Sequence, residues 1–388
     1  MVRFTWFQPI SAAVFSVLGV LSATAADASP RGFVYTINND VANNGIAAYA
    51  RQADGSLKEI AGSPFQAGGR GLSGGDIDEQ GAIRIAGRFV LAVNPGSDSI
   101  AVFTKCNEGK LTPVAGSPFP AGGSTPLSLT VSGDLVYVAN QAAPFANPKT
   151  DPNITGFRLM ADGKLMPIPG STVMFPQGRG PAQVEFCPTG DMLAVTSGFQ
   201  TEDGSRLHVY KVLAGGKLQA APGSPATPMG ASGTVGFSWG MQGDKIYLSN
   251  FRGSAIVTFD VNRQTGMVRQ MGEPLGDDQR AACWTAITRD GRTLYVANYV
   301  SNSVSVYDVG DRGMLTLLGS VPRRDTNGMD TKDLEVSPDG KFLYVVGSGK
   351  RQISVFKIGE NRLPSELPEC CSPMVVRSGQ NITGLAVE

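Results

Sequence analysis

The stretch Arg289–Ser320 reads RDGRTLYVANYVSNSVSVYDVGDRGMLTLLGS. A closely similar phrase, PDGKFLYVVGSGKRQISVFKIGENRL, follows at Pro338–Leu363. Each phrase has a tight-turn signal, an apolar segment rich in β-branched residues, and then an alternating strand pattern. Asp-Gly turns between such segments are typical of antiparallel hairpins, because glycine adopts the positive φ that these turns require. The two phrases therefore predict a repeated antiparallel sheet.

The apolar segment recurs seven times along the 388-residue chain, at steps of 46 to 57 residues. A period near fifty with β-type segments is the signature of propeller blades. The fold class is therefore predicted to be all-β, as a seven-bladed β-propeller. The last residues of the seven segments are Asn38, Asn94, Asn140, Ser197, Asn250, Asn298 and Gly347.

Ring closure is predicted at the two ends of the repeat region. The first unit begins at what is the second strand of the other units, so it lacks an innermost strand. The C-terminal ITGLAVE, Ile382–Glu388, has the pattern of an innermost strand. We expect this segment to pair inside blade one, since such pairing removes an open sheet edge.

The N-terminus resembles a secretory signal. Arg3 is followed by a mostly apolar run at residues 10–21, and Ala23-Thr24-Ala25 is a small-x-small cleavage site. The run is too short to span a bilayer. We therefore expect a signal peptide over residues 1–25, one propeller domain over 26–388, and a periplasmic or extracellular protein without a membrane span.

Composition excludes some classes of partner. Basic and acidic residues number 33 each, so no long-range field favours nucleic acid. The chain has one histidine and no CxxC, which argues against a histidine-based metal site, and no cofactor is predicted. Five cysteines leave at least one unpaired within a single molecule, and the pairing stays open, as does the oligomeric state. They are Cys106, Cys187, Cys283, Cys370 and Cys371.

A candidate ligand site is predicted where the innermost strands begin. In a propeller these positions face the central channel, and long loops beside them commonly carry function. The residues fourteen before the aligned segment ends are Gln80, Pro126, Gln183, Gly236, Trp284 and Asp333. We expect Gln80, Gln183, Trp284 and Asp333 to contact either a ligand or only water. Arg70 and Arg179 lie just upstream, at the expected channel mouth.

Other motifs favour structural interpretations. His208 occupies a polar strand position, and the Asn at each segment end is expected to bond local backbone. Loop acids could hold calcium, but solvated acids explain them better; they are Asp76, Asp78, Glu79, Glu202 and Asp203. Two GxSxG matches, at Ser73 and Ser238, lack the strand-turn-helix context of a nucleophile elbow.

The repeat units resemble those of the lactonase-family seven-bladed propellers, which include 6-phosphogluconolactonase and carboxymuconate cyclase relatives. The resemblance rests on RDGRTLYVANYVSNSVSVY, PDGKFLYVVG with ISVFKI, and GKLTPVAGSPF, and it covers nearly the whole mature chain. For a catalytic member of that family, the resemblance implies a Pro-Arg-His stretch that enters a blade and, after it, a strand that ends in Asn-Glu. Here GPAQVEFCPTGDMLAVTSG, residues 180–198, has Ala182 for the arginine, Gln183 for the histidine, and Ser197-Gly198 for Asn-Glu.

Two functions follow from this departure. The favoured one is a non-catalytic protein that binds a small lactone, a sugar-derived molecule or a partner, because cation, base and acid are replaced together. The alternative is an active lactone hydrolase or a cyclase-like isomerase, in which Asp333 acts as base and Arg179 or Arg70 as the electrophilic clamp. A quinone-dependent dehydrogenase is disfavoured, since the chain lacks a histidine-rich cofactor floor.

Overall fold

The structure is a computed structural model of the 388-residue chain. It describes residues 30–72, 80–142, 150–198, 204–324, 329–375 and 382–388, with residues 1, 2 and 5. These ranges contain seven antiparallel sheets, three short 3-10 turns and no α-helix. The 3-10 turns are Pro95–Ser97, Ala214–Gly216 and Glu369–Cys371.

Each sheet is one blade, and in blades two to seven the strands run outward from the channel in chain order. Blade one contains β1 (Gly32–Ile37), β2 (Gly45–Arg51), β3 (Leu57–Glu59) and β4 (Phe65–Gln66). Blade two contains β5 (Ile83–Ala86), β6 (Phe89–Asn94), β7 (Ser99–Lys105), β8 (Leu111–Pro113) and β9 (Phe119–Pro120). Blade three contains β10 (Pro126–Ser132), β11 (Leu135–Asn140), β12 (Asn153–Leu159), β13 (Leu165–Pro167) and β14 (Val173–Met174).

Blades four to seven have four strands each. Blade four contains β15 (Pro181–Phe186), β16 (Met192–Ser197), β17 (Arg206–Val212) and β18 (Leu218–Ala220), and blade five contains β19 (Thr234–Trp239), β20 (Lys245–Asn250), β21 (Ala255–Val261) and β22 (Val268–Gly276). Blade six contains β23 (Ala282–Ile287), β24 (Thr293–Asn298), β25 (Ser303–Val309) and β26 (Leu315–Pro322). Blade seven contains β27 (Thr331–Val336), β28 (Phe342–Gly347), β29 (Gln352–Ile358) and β30 (Pro364–Glu366).

The predicted ring closure is confirmed. The last strand, β31 (Thr383–Val387), pairs antiparallel with β1 and forms the innermost strand of blade one. Arg51 reinforces this junction: its guanidinium donates to the backbone oxygens of Arg31 and Glu388, and its Nη1 lies 3.0 Å from Oδ2 of Asp339 in blade seven. Blades one and seven are therefore joined by a strand and by an ion pair.

Tyrosines of the second strands connect neighbouring blades. The hydroxyl of Tyr35 donates to the backbone oxygen of Gly109 at 2.9 Å, in the outer hairpin of the next blade. Tyr344 makes the same contact across the ring closure, to the oxygen of Gly55 at 3.0 Å. Both tyrosine rings are fully buried. The repeated tyrosine thus places an apolar ring in the core and satisfies its hydroxyl on the adjacent blade.

The outer strands of blades one to three are interrupted rather than continuous. In blade one, β3 and β4 both pair with β2, and the GSP segment between them breaks the ladder. There the hydroxyl of Ser63 accepts the N–H of Ala48 at 3.1 Å. Equivalent serines serve blades two, three and four. The spacing of fifteen residues between the N–H and the serine is the same in each of these blades, because the serine hydroxyl replaces a missing backbone acceptor. These equivalents are Ser117, Ser171 and Ser224.

Candidate functional site in the central channel

A β-bulge at the start of the innermost strand aims one residue per blade at the channel in blades four to seven. In blade seven, Thr331 pairs with Gly347 and Leu334 with Val345, so β27 carries one extra residue. Blades four, five and six show the same register shift. Bulges commonly re-aim side chains in this way. The residues within these bulges that belong to the predicted column are Gln183, Gly236, Trp284 and Asp333.

The two predicted glutamines lie in the channel, where their amides bond backbone. Gln183 accepts the N–H of Phe237 at 2.8 Å and donates to the oxygen of Phe237 at 2.9 Å. Gln80 makes the corresponding pair of contacts across the channel with Thr285, at 3.3 and 2.5 Å. Phe237 and Thr285 are the first residues that pair again after the bulges, and they lie in innermost strands, which have no neighbouring strand on the channel side. Both glutamines therefore bond backbone groups at these open edges, and Gln80 also lines the cavity described below.

Trp284 fills the end of the channel at which the innermost strands begin. Its side chain is fully buried, and a Cβ at Gly236 would lie 2.5 Å from its Cε3. The indole belongs to the same buried cluster as Ala182 of blade four and Val235 of blade five. The other residues of the predicted column are buried as well. This mouth, at which we predicted the site, is therefore closed by packed side chains.

The two arginines predicted at that mouth do not line the cavity. Arg70 is exposed, and its Nη2 donates to the backbone oxygen of Gly96 at 3.1 Å. Arg179 is half-buried in the segment before β15. The structure therefore does not place the expected clamp beside Asp333. The physical reason is that the ring of buried side chains separates Asp333 from this face of the propeller.

The cavity instead opens at the opposite end, where the Asp-Gly turns lie. Its volume is about 270 Å³. Its walls begin at the buried Gln80 and Asp333 and end at Pro188 and Arg289, which are exposed. The cavity therefore occupies most of the channel length. Further side chains along its wall are Arg84, Glu185, Ser238, Met241, Thr285, Glu335 and Pro338.

Three carboxyl groups face this cavity with few solvating partners. Burial raises the pKa of Glu185 to about 7 and that of Asp333 to about 7, while Arg84 lowers both. Burial also raises the pKa of Glu335 to about 8, and the nearby charges of Asp333 and Glu185 add to the rise. Removing a carboxylate from water disfavours its charged form. The cavity therefore contains acids that exchange protons near neutral pH.

Arg84 contributes the positive charge inside the channel. It belongs to β5, and a Cβ at Gly81 would lie 2.9 Å from its Nη2, so this glycine makes room for the guanidinium. Within the described ranges, no ion pair within 4.0 Å joins Arg84 to a carboxylate. Oδ2 of Asp333 also has no hydrogen-bond partner in these ranges, even though the residue is almost fully buried, at 2% exposed. Charges of both signs thus face the same space without contact.

Glu185, Glu335 and Arg84 were not among the predicted residues. Glu185 and Glu335 come two positions after Gln183 and Asp333, and Arg84 comes four after Gln80. Alternate residues of a strand face the same side. Extending the predicted column along each innermost strand by steps of two would have found all three.

The remaining sequence motifs have structural environments. Nε2 of His208 lies 2.9 Å from Oγ of Ser197, and burial lowers its pKa to about 4. Ser238 bonds Thr285, with 2.8 Å between their hydroxyl oxygens, and has no histidine beside it. Oδ1 of the segment-end Asn38 accepts the N–H groups of Asp40 and Gly45 at 3.1 and 2.9 Å, as the interpretation of local bonding predicts. Asn94 differs, since it donates to the backbone oxygen of Ala67, 27 residues away in the sequence.

Cysteines and candidate metal ligands add no second site. No disulfide joins any of the five cysteines, all of which lie in the described ranges, and the sulfurs of Cys370 and Cys371 lie 3.9 Å apart. No group of three or more potential ligands occurs in the parts of the chain that the structure describes. Ser73 and the loop acids considered above as calcium ligands fall outside those parts; these acids are Asp76, Asp78, Glu79, Glu202 and Asp203. The described residues also contain no helix long and apolar enough to cross a membrane.

Comparison with known proteins agrees with the architecture. The family model described as "Lactonase, 7-bladed beta-propeller" matches residues 43–147 and 276–369. A protein from Bacteroides fragilis, provisionally assigned as a 6-phosphogluconolactonase, has a similar structure, with a TM-score of 0.69 and 18% identity over 93% of this chain and 99% of the other. The periplasmic gluconolactonase of Pseudomonas aeruginosa gives a TM-score of 0.65 and 18% identity, over 91% and 98%.

No curated protein sequence matches the chain. At such low identity, the two structural likenesses show the fold and leave the activity open. The family model, by contrast, matches just over half of the sequence. From the repeat, the closed ring of seven sheets and this match, we conclude that the chain belongs to the lactonase family of seven-bladed β-propellers.

Proposed function

We propose that the protein binds a small, polyhydroxylated molecule of the sugar or sugar-lactone class in the central cavity. One observation carries the proposal: the buried Oδ2 of Asp333 lacks a partner in a cavity that also holds the guanidinium of Arg84. A buried polar atom without a partner is unfavourable, so a ligand that donates to it gains a strong hydrogen bond. Hydroxyl groups both donate and accept, and they match acidic and basic walls together.

The size of the cavity supports a ligand of this class. About 270 Å³ lies near the lower limit of typical ligand pockets, which measure roughly 300–1,000 Å³. Its walls also include apolar surface from Phe186, Trp239 and Ile287. A sugar ring presents apolar C–H faces between its hydroxyl groups, so polar and apolar walls can both be used. Longer or highly branched ligands would extend out past Arg289 at the open end.

Calorimetric titration of the purified protein with glucose, galactose and their unhydrolysed lactones tests this proposal. We expect saturable binding that Asp333→Asn weakens about tenfold or more, since loss of one charged hydrogen bond is worth roughly 1.5–3 kcal/mol. Asp162→Asn is the matched control, because Asp162 is exposed and pairs only with Lys164. Binding that is identical in both variants would place the ligand elsewhere. Absence of binding to every member of the panel would contradict the proposal.

Hydrolysis of a lactone is the second candidate, favoured by the carboxyl groups that titrate near neutrality. An ionised carboxylate would accept a proton from water while the water oxygen attacks the lactone carbonyl carbon. Arg84 would stabilise the oxyanion that forms. The ring C–O bond then breaks, and a protonated carboxyl such as Glu335 gives its proton to the leaving oxygen. The products balance as one hydroxy acid per lactone and water consumed.

Turnover of γ- and δ-lactones, followed by acid release with and without a chelator, separates the two candidates. If hydrolysis occurs in the cavity, Arg84→Met should lower kcat by at least about a hundredfold. Arg88→Met is the control, because Arg88 is exposed and lies over the ring of Phe89. Arg179→Met tests the clamp that the sequence suggested. If the wild type and its variants bind lactones but hydrolyse none of them, binding remains as the only supported function.

Export to the periplasm or the medium completes the proposal. It is supported by the signal-like residues 1–25 and by the periplasmic relative from Pseudomonas aeruginosa with the same fold. Expression of the full chain in a bacterium, followed by fractionation and intact-mass measurement, tests it. We expect the periplasmic or secreted product to begin at Ala26. An unprocessed chain in the cytoplasmic fraction would contradict export.

A further inference from the structure

We infer that the central cavity selects ligands that carry a positive charge, such as a sugar bearing a primary ammonium group, over neutral and phosphorylated analogues. The inference deepens the proposed function and rests on it. Three carboxyl groups and one guanidinium line the inner part of the channel, so negative charge predominates there once the carboxyl groups ionise, above about pH 8. The only other charged residue of the described lining is Arg289, which is exposed at the open end.

The carboxyl groups are placed around one space by different blades. Glu185 belongs to β15 in blade four, whereas Asp333 and Glu335 belong to β27 in blade seven. Arg84 enters from blade two and makes no ion pair with them within 4.0 Å in the described ranges. A cationic group can therefore approach the carboxylates without displacing an internal cation. This arrangement differs from a structural salt bridge, in which the opposite charges are already in contact.

Asp333 points to the position of the charged donor. Its Oδ2 is buried and lacks a partner, while hydrogen bonds from the backbone of Leu334, Leu385 and Gly81 support the rest of the carboxylate. An ammonium group has three donors and no acceptor, so it can satisfy this oxygen and reach a second carboxylate. A hydroxyl group has one donor and leaves the negative charge uncompensated.

The proton affinities of the cluster agree with this assignment. Burial raises the pKa of all three carboxyl groups by more than the charge of Arg84 lowers it, so the cluster is only partly compensated within the protein. A bound cation lowers these pKa values, since opposite charge favours the ionised form. Binding an ammonium ligand should therefore release protons near pH 7 and strengthen as pH rises. The remaining polar groups around the cluster stay neutral in this range; they are Gln80, Ser238 and Thr285.

A phosphorylated ligand meets the opposite situation. Its charge is close to −2 at neutral pH and would lie among the same carboxylates. Arg84 is one cation against three acids, and Arg289 is exposed to screening by solvent and salt. Rejection of phosphate is therefore expected from the charge balance at pH 8.5, where the three acids are ionised.

Three hexoses that differ only at carbon 6 test the inference: glucose, 6-amino-6-deoxyglucose and glucose 6-phosphate. Each is titrated calorimetrically into the whole protein at pH 6 and pH 8.5, in two buffers of different ionisation enthalpy so that proton release is measured. We expect the amino sugar to bind at least about tenfold more tightly than glucose at pH 8.5, and glucose 6-phosphate at least about tenfold more weakly. The advantage of the amino sugar over glucose should shrink at pH 6.

Glu335→Gln should reduce the preference for the amino sugar, measured as the ratio of its affinity to the affinity of glucose for the same variant. Glu108→Gln is the matched control, because Glu108 is exposed in an outer hairpin turn and its exchange should preserve the preference. Equal affinities for glucose and the amino sugar, with binding intact, would overturn this inference but not the proposed function. If none of the three hexoses binds, the inference fails, whereas the proposed function is decided separately by the titrations with galactose and the two lactones.

Discussion

Replacement of Glu335 by glutamine should stabilise the fold at alkaline pH. Burial and neighbouring acids raise the pKa of this carboxyl from 4.5 to about 8. The folded state therefore binds a proton more tightly than the unfolded chain, and stability falls as pH rises from about 4.5 to about 8. Glutamine resembles the protonated side chain and carries no charge. Its advantage should be close to zero at pH 4.5 and largest above pH 8.

The size of the effect follows from the shift. Each tenfold change in proton affinity corresponds to about 1.4 kcal/mol, so the upper limit at pH 8.5 is about 4–5 kcal/mol. Glu335 is half-buried and shares its field with Glu185 and Asp333, and both features reduce the value. We expect a gain of about 1–3 kcal/mol in the free energy of unfolding at pH 8.5.

Urea denaturation of the wild type and of Glu335→Gln, at pH 4.5 and 8.5, measures this difference. The urea midpoint should rise with an unchanged slope at pH 8.5 only. Glu108→Gln, on the exposed outer turn, should change the free energy of unfolding by no more than about 0.5 kcal/mol at either pH. An equal gain at both pH values, or no gain at pH 8.5, would refute the argument that Glu335 is held as a desolvated acid in the channel.

Three further substitutions test the frame around the site, each by urea denaturation. Tyr344→Phe removes the hydroxyl that bonds blade one across the ring closure and should cost about 1 kcal/mol. Gly236→Ala places a methyl group 2.5 Å from Cε3 of Trp284 and should cost about 1–3 kcal/mol. Asp330→Ala leaves the guanidinium of Arg323, now 2.8 Å from Oδ2 of Asp330 and 3% exposed, without its partner and should cost about 3–5 kcal/mol.

Each of these substitutions has a matched control. Tyr307 bonds the oxygen of Leu275 at 3.4 Å, so Tyr307→Phe should cost less than Tyr344→Phe. A Cβ at Gly276 has no neighbour closer than 3.9 Å, and Gly276→Ala should be nearly neutral. The exposed Asp311 pairs with Arg292 at 3.4 Å, and Asp311→Ala should change stability by less than about 1 kcal/mol. Equal costs within any pair would contradict the assigned contact.

Much of the fold could be predicted because its signals are local. The Asp-Gly turns, the alternating strands and the missing first strand each depend on a few neighbouring residues. Together they led from the repeat at residues 289–320 to seven blades and to the closing strand β31. The serine acceptors, such as Ser63, were not predicted, because their partner lies on another strand fifteen residues away.

The site was predicted only in part. The column placed Gln80 and Asp333 in the channel wall, as the structure does. It also suggested Arg70 and Arg179 as neighbours of Asp333, although neither lines the cavity. Proximity in sequence to an innermost strand shows which face of the ring a residue approaches. It does not show how deep in the channel its charge lies.

The amino-acid sequence by itself determined the repeat, the strand order and the residues that turn toward the channel, since these follow from hairpin chemistry and from the alternation of side chains along a strand. The tertiary structure alone decided which end of the channel is open and which charges meet there. Trp284 closes one end because Gly236 leaves space for its ring, and Arg84 faces the same cavity as the carboxyl groups of blades four and seven only when the ring closes. These neighbours lie about 50 to 250 positions apart in the sequence, so no local pattern encodes their proximity.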